Sequence, residues 1–122
     1  MKNANLSELI KSKWFDDYQN GLESRFSASG MTYNYHYEKI NGVNSVVVFL
    51  EKNKIKTKIE LFENGDLNFS YTKNHRLEKE QFINCSEDDF HTMLAHSFIY
   101  IRDGNFEYHK DWHSNLDERK KE

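Results

Sequence analysis

The sequence predicts an α+β domain: an antiparallel meander sheet of four to five strands, with one helix before it and one after it packed against it. Three observations carry this. Between residues 31 and 72, short runs of alternating or continuous apolar residues are punctuated by Asn41-Gly42, by Glu51-Lys52-Asn53-Lys54 and by Asn64-Gly65-Asp66. Strand-length runs separated by such turn residues are the signature of successive hairpins. Apolar residues recur at helical spacing on both sides of that region.

The first element places Leu6, Ile10, Trp14 and Tyr18 at intervals of four, with Lys11, Lys13, Asp16 and Asp17 on other faces. This predicts an amphipathic helix from about Asn5 to about Tyr18. Asn20-Gly21 is its expected stop, because glycine accepts the left-handed conformation that closes a helix. Leu22 to Gly30 reads as a Ser-rich connection of unassigned conformation.

Tyr33, Tyr35 and Tyr37 alternate with Asn34, His36 and Glu38, so the first strand has one packed face and one wet face. Val46-Val47-Val48-Phe49-Leu50 is apolar on both faces and largely β-branched, as a central strand requires. Ile55, Thr57, Ile59 and Leu61 then share a face opposite Lys56, Lys58, Glu60 and Phe62. After a Gly-containing turn, Leu67, Phe69 and Tyr71 alternate with Asn68, Ser70 and Thr72. Residues 73 to 81 are polar around a lone Leu77 and are expected to form a surface loop or short helix.

Ser86 followed by Glu87, Asp88 and Asp89 marks a helix start: a hydroxyl cap, then carboxylates favoured by the exposed amides of the first turn. Phe90, Met93, Leu94, Phe98 and Ile101 form its apolar stripe, Arg102 falls in the last turn and Asp103-Gly104 ends it. Phe106 and Tyr108 read as a short closing segment, a candidate fifth strand, and residues 114 to 122 form a charged tail expected to fray. The whole, residues 1 to 122, is read as one domain with a folded core from 5 to 108, a size that supports a single core.

Composition narrows the function classes. Eighteen aromatic residues, nine Phe, seven Tyr and two Trp, can fill a core although charged residues make up 30% of the chain. The net charge of −3 weighs against direct nucleic-acid binding, which needs a basic footprint. Residues 39 to 80 hold eight basic against six acidic side chains, whereas residues 85 to 122 hold five against nine, so the C-terminal third is the acidic pole. Cys85 is the only cysteine, which leaves no partner for an internal disulfide and fits a reducing compartment. Met1 to Ile10 lacks the apolar core of a signal peptide and no run approaches the ~20 apolar residues of a membrane span. A cytoplasmic protein with no membrane contact is expected.

His109 and His113 have the spacing of a two-histidine metal pair, with Glu107 and Asp111 as further oxygen donors, but Lys110 stands where the strong form of that motif has Glu and no third ligand is assigned. Cys85 precedes a helix N-terminus, where a thiol pKa can fall, but neither a positioned base nor an oxyanion site accompanies it, so a small half-buried residue is expected there. His36, His91 and His96 do not converge, the latter two lying about 140° apart around a helix. No phosphate loop, nucleophile elbow or paired-carboxylate motif is present in the sequence. The expectation is a protein that is not an enzyme and uses neither metal nor cofactor.

What stands out is an aromatic and acidic set: Glu87, Asp88, Asp89, Glu107, Tyr108, Asp111 and Trp112, with Phe106 beside them. Aromatics interleaved with acids suit a basic protein partner, aromatics as anchors and carboxylates as steering charges. Lys54, Lys56 and Lys58 form a contrary basic segment that would suit an acidic partner. A compact α+β body from residue 5 to 108, an acidic balance and surface segments rich in Asp, Glu, Tyr and Trp together resemble the small immunity proteins that protect bacteria from secreted toxin domains, including those of contact-dependent growth inhibition. That resemblance is architectural and implies stoichiometric binding and neutralisation of a cognate toxin, commonly a basic nuclease, by a monomer or weak homodimer. The alternative is a small-molecule-binding or enzymatic domain whose sheet and first helix enclose a cavity lined by Trp14, Tyr33, Tyr35 and Tyr37.

Overall fold

The chain folds around a five-stranded antiparallel sheet; its structure, a computed structural model, describes residues 6 to 104. Three short helices come first: α1 (Leu6–Lys11), α2 (Phe15–Tyr18) and α3 (Asn20–Ala28). The strands β1 (Thr32–Ile40), β2 (Val43–Lys52), β3 (Ile55–Phe62), β4 (Leu67–Lys73) and β5 (Arg76–Phe82) follow, and α4 (Glu87–Asp103) closes the described chain. Spatial strand order equals chain order, so the meander is unbroken. No helix among the described residues is long and apolar enough to cross a membrane.

Three of the four hairpins turn on two residues with positive φ: Asn41-Gly42, Asn53-Lys54 and Asn74-His75. This is the type I′ geometry, whose twist matches that of the strands it joins. The remaining connection, around Asn64 and Gly65, is longer and is closed by Phe62 N–H donating to the Asp66 carbonyl.

The register puts Tyr33, Tyr35 and Tyr37 beside Leu50, Val48 and Val46, then Thr57, Ile59 and Leu61, then Tyr71, Phe69 and Leu67, then Phe82. These residues form the face that the helices cover. Phe15, Phe26, Phe69, Phe82 and Phe90 are fully buried there. The opposite face carries Asn34, Phe49, Lys58, Ser70 and Lys79 in one row across all five strands.

Several expected elements differ. The predicted helix from Asn5 to Tyr18 is broken, because Lys13 takes φ 58° and ends α1. The break shifts the phase of the apolar stripe by one position, so that Phe15 follows Leu6 and Ile10 into the core and Tyr18 turns outward at 42% exposure. Asn20-Gly21 is not a stop but the start of α3, which occupies most of the stretch expected to be a connection and buries Phe26. The polar run 73 to 81, expected as a loop or short helix, supplies β5, an edge strand. The fifth strand is therefore this one; Phe106 and Tyr108 lie outside the described residues, as do the tail from 114 to 122 and both ends of the expected domain. Cys85 is fully buried rather than half-buried.

Helix α4 matches expectation closely. Asp89 N–H donates to the Ser86 hydroxyl and the Asp89 carboxylate accepts from Ser86 N–H at 2.9 Å, a reciprocal capping box. Gly104, at φ 69°, forms the left-handed cap at the other end, its N–H donating to the Tyr100 carbonyl.

Candidate protein-binding surface

The helical break at Lys13 builds the most distinctive surface corner of the described chain. Trp14 and Phe15 follow the break and pack edge-on against Phe90, with ring centroids 5.9 and 5.6 Å away. That contact fastens α2 to the first turns of α4. Tyr18, one turn later, lies over the His91 ring at 3.8 Å, and Trp14 meets the same imidazole edge-on at 6.1 Å. His91 Nε2 is 3.8 Å from the Glu87 carboxylate.

These ring contacts set α2, which carries Asp16 and Asp17, beside the first turns of α4, which carry Glu87 and Asp88. Asp16 is held by the sheet, its carboxylate accepting from the Tyr35 hydroxyl at 2.7 Å and the Tyr37 hydroxyl at 3.2 Å. Burial, then the Asp16 hydrogen bond and charge, push the Tyr35 phenol up to about 12. Burial, Asp16 and Tyr35 raise Tyr37 as well. These phenols therefore serve as hydrogen-bond donors at neutral pH. Asp17 and Asp88 are exposed to solvent.

Burial lowers the pKa of His91, with the nearby Asp88 charge opposing that shift. The imidazole is thus neutral at pH 7. Its Nδ1 and the neighbouring Trp14 Nε1 are both buried without a hydrogen-bond partner.

The predicted site residues fall into three groups. Asp88 faces solvent and Glu87 is partly exposed, so both are accessible. Asp89 is only 7% exposed and its carboxylate is engaged in the capping box, so its main work is closing the helix. Glu107, Tyr108, Asp111 and Trp112, and with them His109 and His113, lie outside the described residues. The remaining members of the corner, Trp14, Asp16, Asp17, Tyr18 and His91, belong to the surface without having been singled out for it. The available signal was the adjacent pair Trp14-Phe15, which a single straight stripe continuing Leu6 and Ile10 cannot bury together.

Beyond Tyr18 and His91 the surface continues into a groove of about 270 Å³ between α3 and α4, floored by Leu22, Phe26, Leu94 and Phe98. Arg25 and Arg102 flank it, and the Arg102 guanidinium lies 5.5 Å from the Phe98 ring centroid. His91 and Arg102 are about three turns apart on α4, so Glu87 and Arg102 mark opposite ends of one apolar strip, while the Arg25 charge acts on Tyr18.

The tyrosines of the alternative reading pack on neighbouring rings among the described residues. Tyr33 packs on Phe26 at 4.9 Å and Tyr35 on Phe15 at 5.1 Å, while the Tyr33 hydroxyl donates to Gln19 Oε1. That side of the sheet is filled by aromatic packing. His36 stacks on Phe49 across the open face and His96 is buried near Phe69, so the histidines stand apart as the sequence suggested. Among the described residues no group of three His, Cys, Asp or Glu side chains is placed to hold a metal ion. No family model, curated protein or solved structure matches this chain.

Proposed function

We propose that the protein acts by binding rather than by catalysis, as a stoichiometric inhibitor of the immunity type that neutralises a cognate bacterial toxin with a basic working surface. The observation that supports this reading is the contact of Tyr18 with His91, which sets α2, bearing Asp16 and Asp17, against the start of α4, bearing Glu87 and Asp88. Clustered carboxylates accelerate encounter with a cationic surface and an aromatic ring at their centre supplies an anchor. The acids mimic the charge of a nucleic acid substrate, so a nuclease is the favoured partner class. Glu107, Tyr108, Asp111 and Trp112 extend the same chemistry along the chain.

The test begins with the genes adjacent to this one, where a secreted-toxin gene is expected, and uses that toxin's domain. Wild-type protein is expected to co-elute with it at one-to-one stoichiometry and to abolish its toxicity on co-expression. The Asp17→Lys/Asp88→Lys variant should retain its circular dichroism spectrum and associate about 10- to 100-fold more slowly at low salt. Unchanged association kinetics in that variant would remove the acidic corner from the interface, and failure of the wild-type chain to protect against the toxin would sink the inhibitor reading.

A further inference from the structure

A second concavity lies at the turn end of the sheet, lined by none of the residues of the acidic corner, with a volume of about 370 Å³. That is within the roughly 300–1,000 Å³ of sites for small molecules. Its polar wall is made almost entirely of carboxamides: Asn41 from the first hairpin, Asn64 from the β3–β4 turn, Asn68 from β4 and Gln81 from β5. Asp66 is the single charged side chain on it.

Most of that hydrogen-bonding capacity is uncommitted. The side chains of Asn41 and Gln81 make no hydrogen bond among the described residues. Asn64 uses only its carbonyl oxygen, accepting from Asp66 N–H at 3.0 Å, and Asn68 uses only its amide nitrogen, donating to Glu60 at 3.4 Å. Each therefore keeps a donor or an acceptor to spare. The walls are fixed before any ligand arrives, because Cys85 N–H donates to the Gly65 carbonyl at 2.9 Å and Phe62 N–H to the Asp66 carbonyl at 2.9 Å.

The apolar part is equally specific. Ile40 and Ile83, two large apolar side chains exposed at 42% and 41%, stand at this concavity, and Phe62 lies in its wall. Exposed apolar groups beside dense neutral hydrogen-bonding groups demand a ligand with both characters on one small body. An anion would find no cation among the lining residues, and a metal cation would find one carboxylate.

We propose that this concavity is a binding site for a neutral carbohydrate, a monosaccharide or a short oligosaccharide. Planar amide and carboxylate groups match pairs of neighbouring hydroxyls, each of which donates and accepts. The C–H face of a pyranose ring packs against Ile40, Ile83 and Phe62. This site is independent of the acidic corner and of the inhibitor reading.

The test is a nuclear magnetic resonance titration of the ¹⁵N-labelled full-length chain with glucose, N-acetylglucosamine and maltose, each at millimolar concentration, and separately with adenosine. At least one sugar is expected to shift the side-chain amide signals of Asn41, Asn64, Asn68 and Gln81 and leave the α3–α4 signals in place. The Asn41→Gly/Gln81→Ala variant keeps the left-handed turn and removes two free amides; it should bind that sugar about tenfold more weakly or worse, about 1.4 kcal/mol, with its other backbone signals unchanged. Three outcomes would overturn the proposal: no shift with any sugar, shifts at these amides with adenosine alone, or undiminished sugar binding by the variant.

Discussion

Asp88 and Asp89 are neighbours of the same chemical type with opposite duties. The Asp89 carboxylate closes the capping box and is buried, whereas Asp88 projects into solvent. Asp89→Ala should therefore cost about 1 kcal/mol, measured as a lower urea midpoint at unchanged slope, while Asp88→Ala leaves the midpoint near its wild-type value. The sequence marked all three acids as a helix start, yet a cap and a surface charge look identical until the rotamers are known. His91 has a similarly local consequence. Burial lowers its pKa in the folded state, so folding favours the neutral ring. The associated stability is present above the unfolded histidine pKa of ~6.5 and is lost as pH falls through that value towards the lower folded one. His91→Gln should flatten this part of the stability profile, as followed by urea melts from pH 7.5 to pH 5.

At the scale of elements, strands β1 to β4 were legible because each has one dry face, and burial on one face writes alternation into the residues. β5 was not, because an edge strand wet along most of its length has no such constraint. Its charges, Arg76, Glu78, Lys79 and Glu80, are instead what protects an edge from pairing with another chain. The hairpin leading into it was the better clue, since Asn74-His75 repeats the backbone of Asn53-Lys54. Both turns place a side chain bearing a Cβ where glycine is favoured: Lys54 at φ 70° and His75 at φ 65°. Lys54→Gly and His75→Gly should each raise stability, by up to about 1 kcal/mol, detectable as higher melting temperatures. The break between α1 and α2 was hidden for a different reason. Nothing at Lys13 favours a left-handed backbone locally; the packing of Trp14 and Phe15 against Phe90 imposes it. Phe15→Ala, which removes the centre of that packing, is expected to cost about 3–5 kcal/mol in chemical denaturation.

Over the whole molecule, two charged segments lie on different faces. The acidic corner sits on the helical side, whereas Lys56 and Lys58 lie on the open side of the sheet, where the Lys58 ammonium is 5.7 Å from the Phe49 ring centroid. The basic segment that argued against a cationic partner therefore does not share a surface with the acids that argue for one. The core also carries its own alkaline limit. Tyr35 and Tyr71 are each pushed up to about 12 in the folded state, chiefly by burial. The stability they contribute is intact below the unfolded tyrosine pKa of ~10 and is lost as pH rises through their folded values. Tyrosinate absorbance should thus rise late and together with unfolding rather than before it. The unbroken meander has a further consequence, for truncated chains. With every strand pairing its predecessor, the sheet's own sequence ends at Phe82, and contacts so close in sequence form quickly. Without α4, Phe69, Phe82 and Leu67 lack Phe90, Met93 and Leu94, the residues that complete their cluster. A released chain ending at residue 86 would display that surface, and should be an aggregation-prone chaperone client.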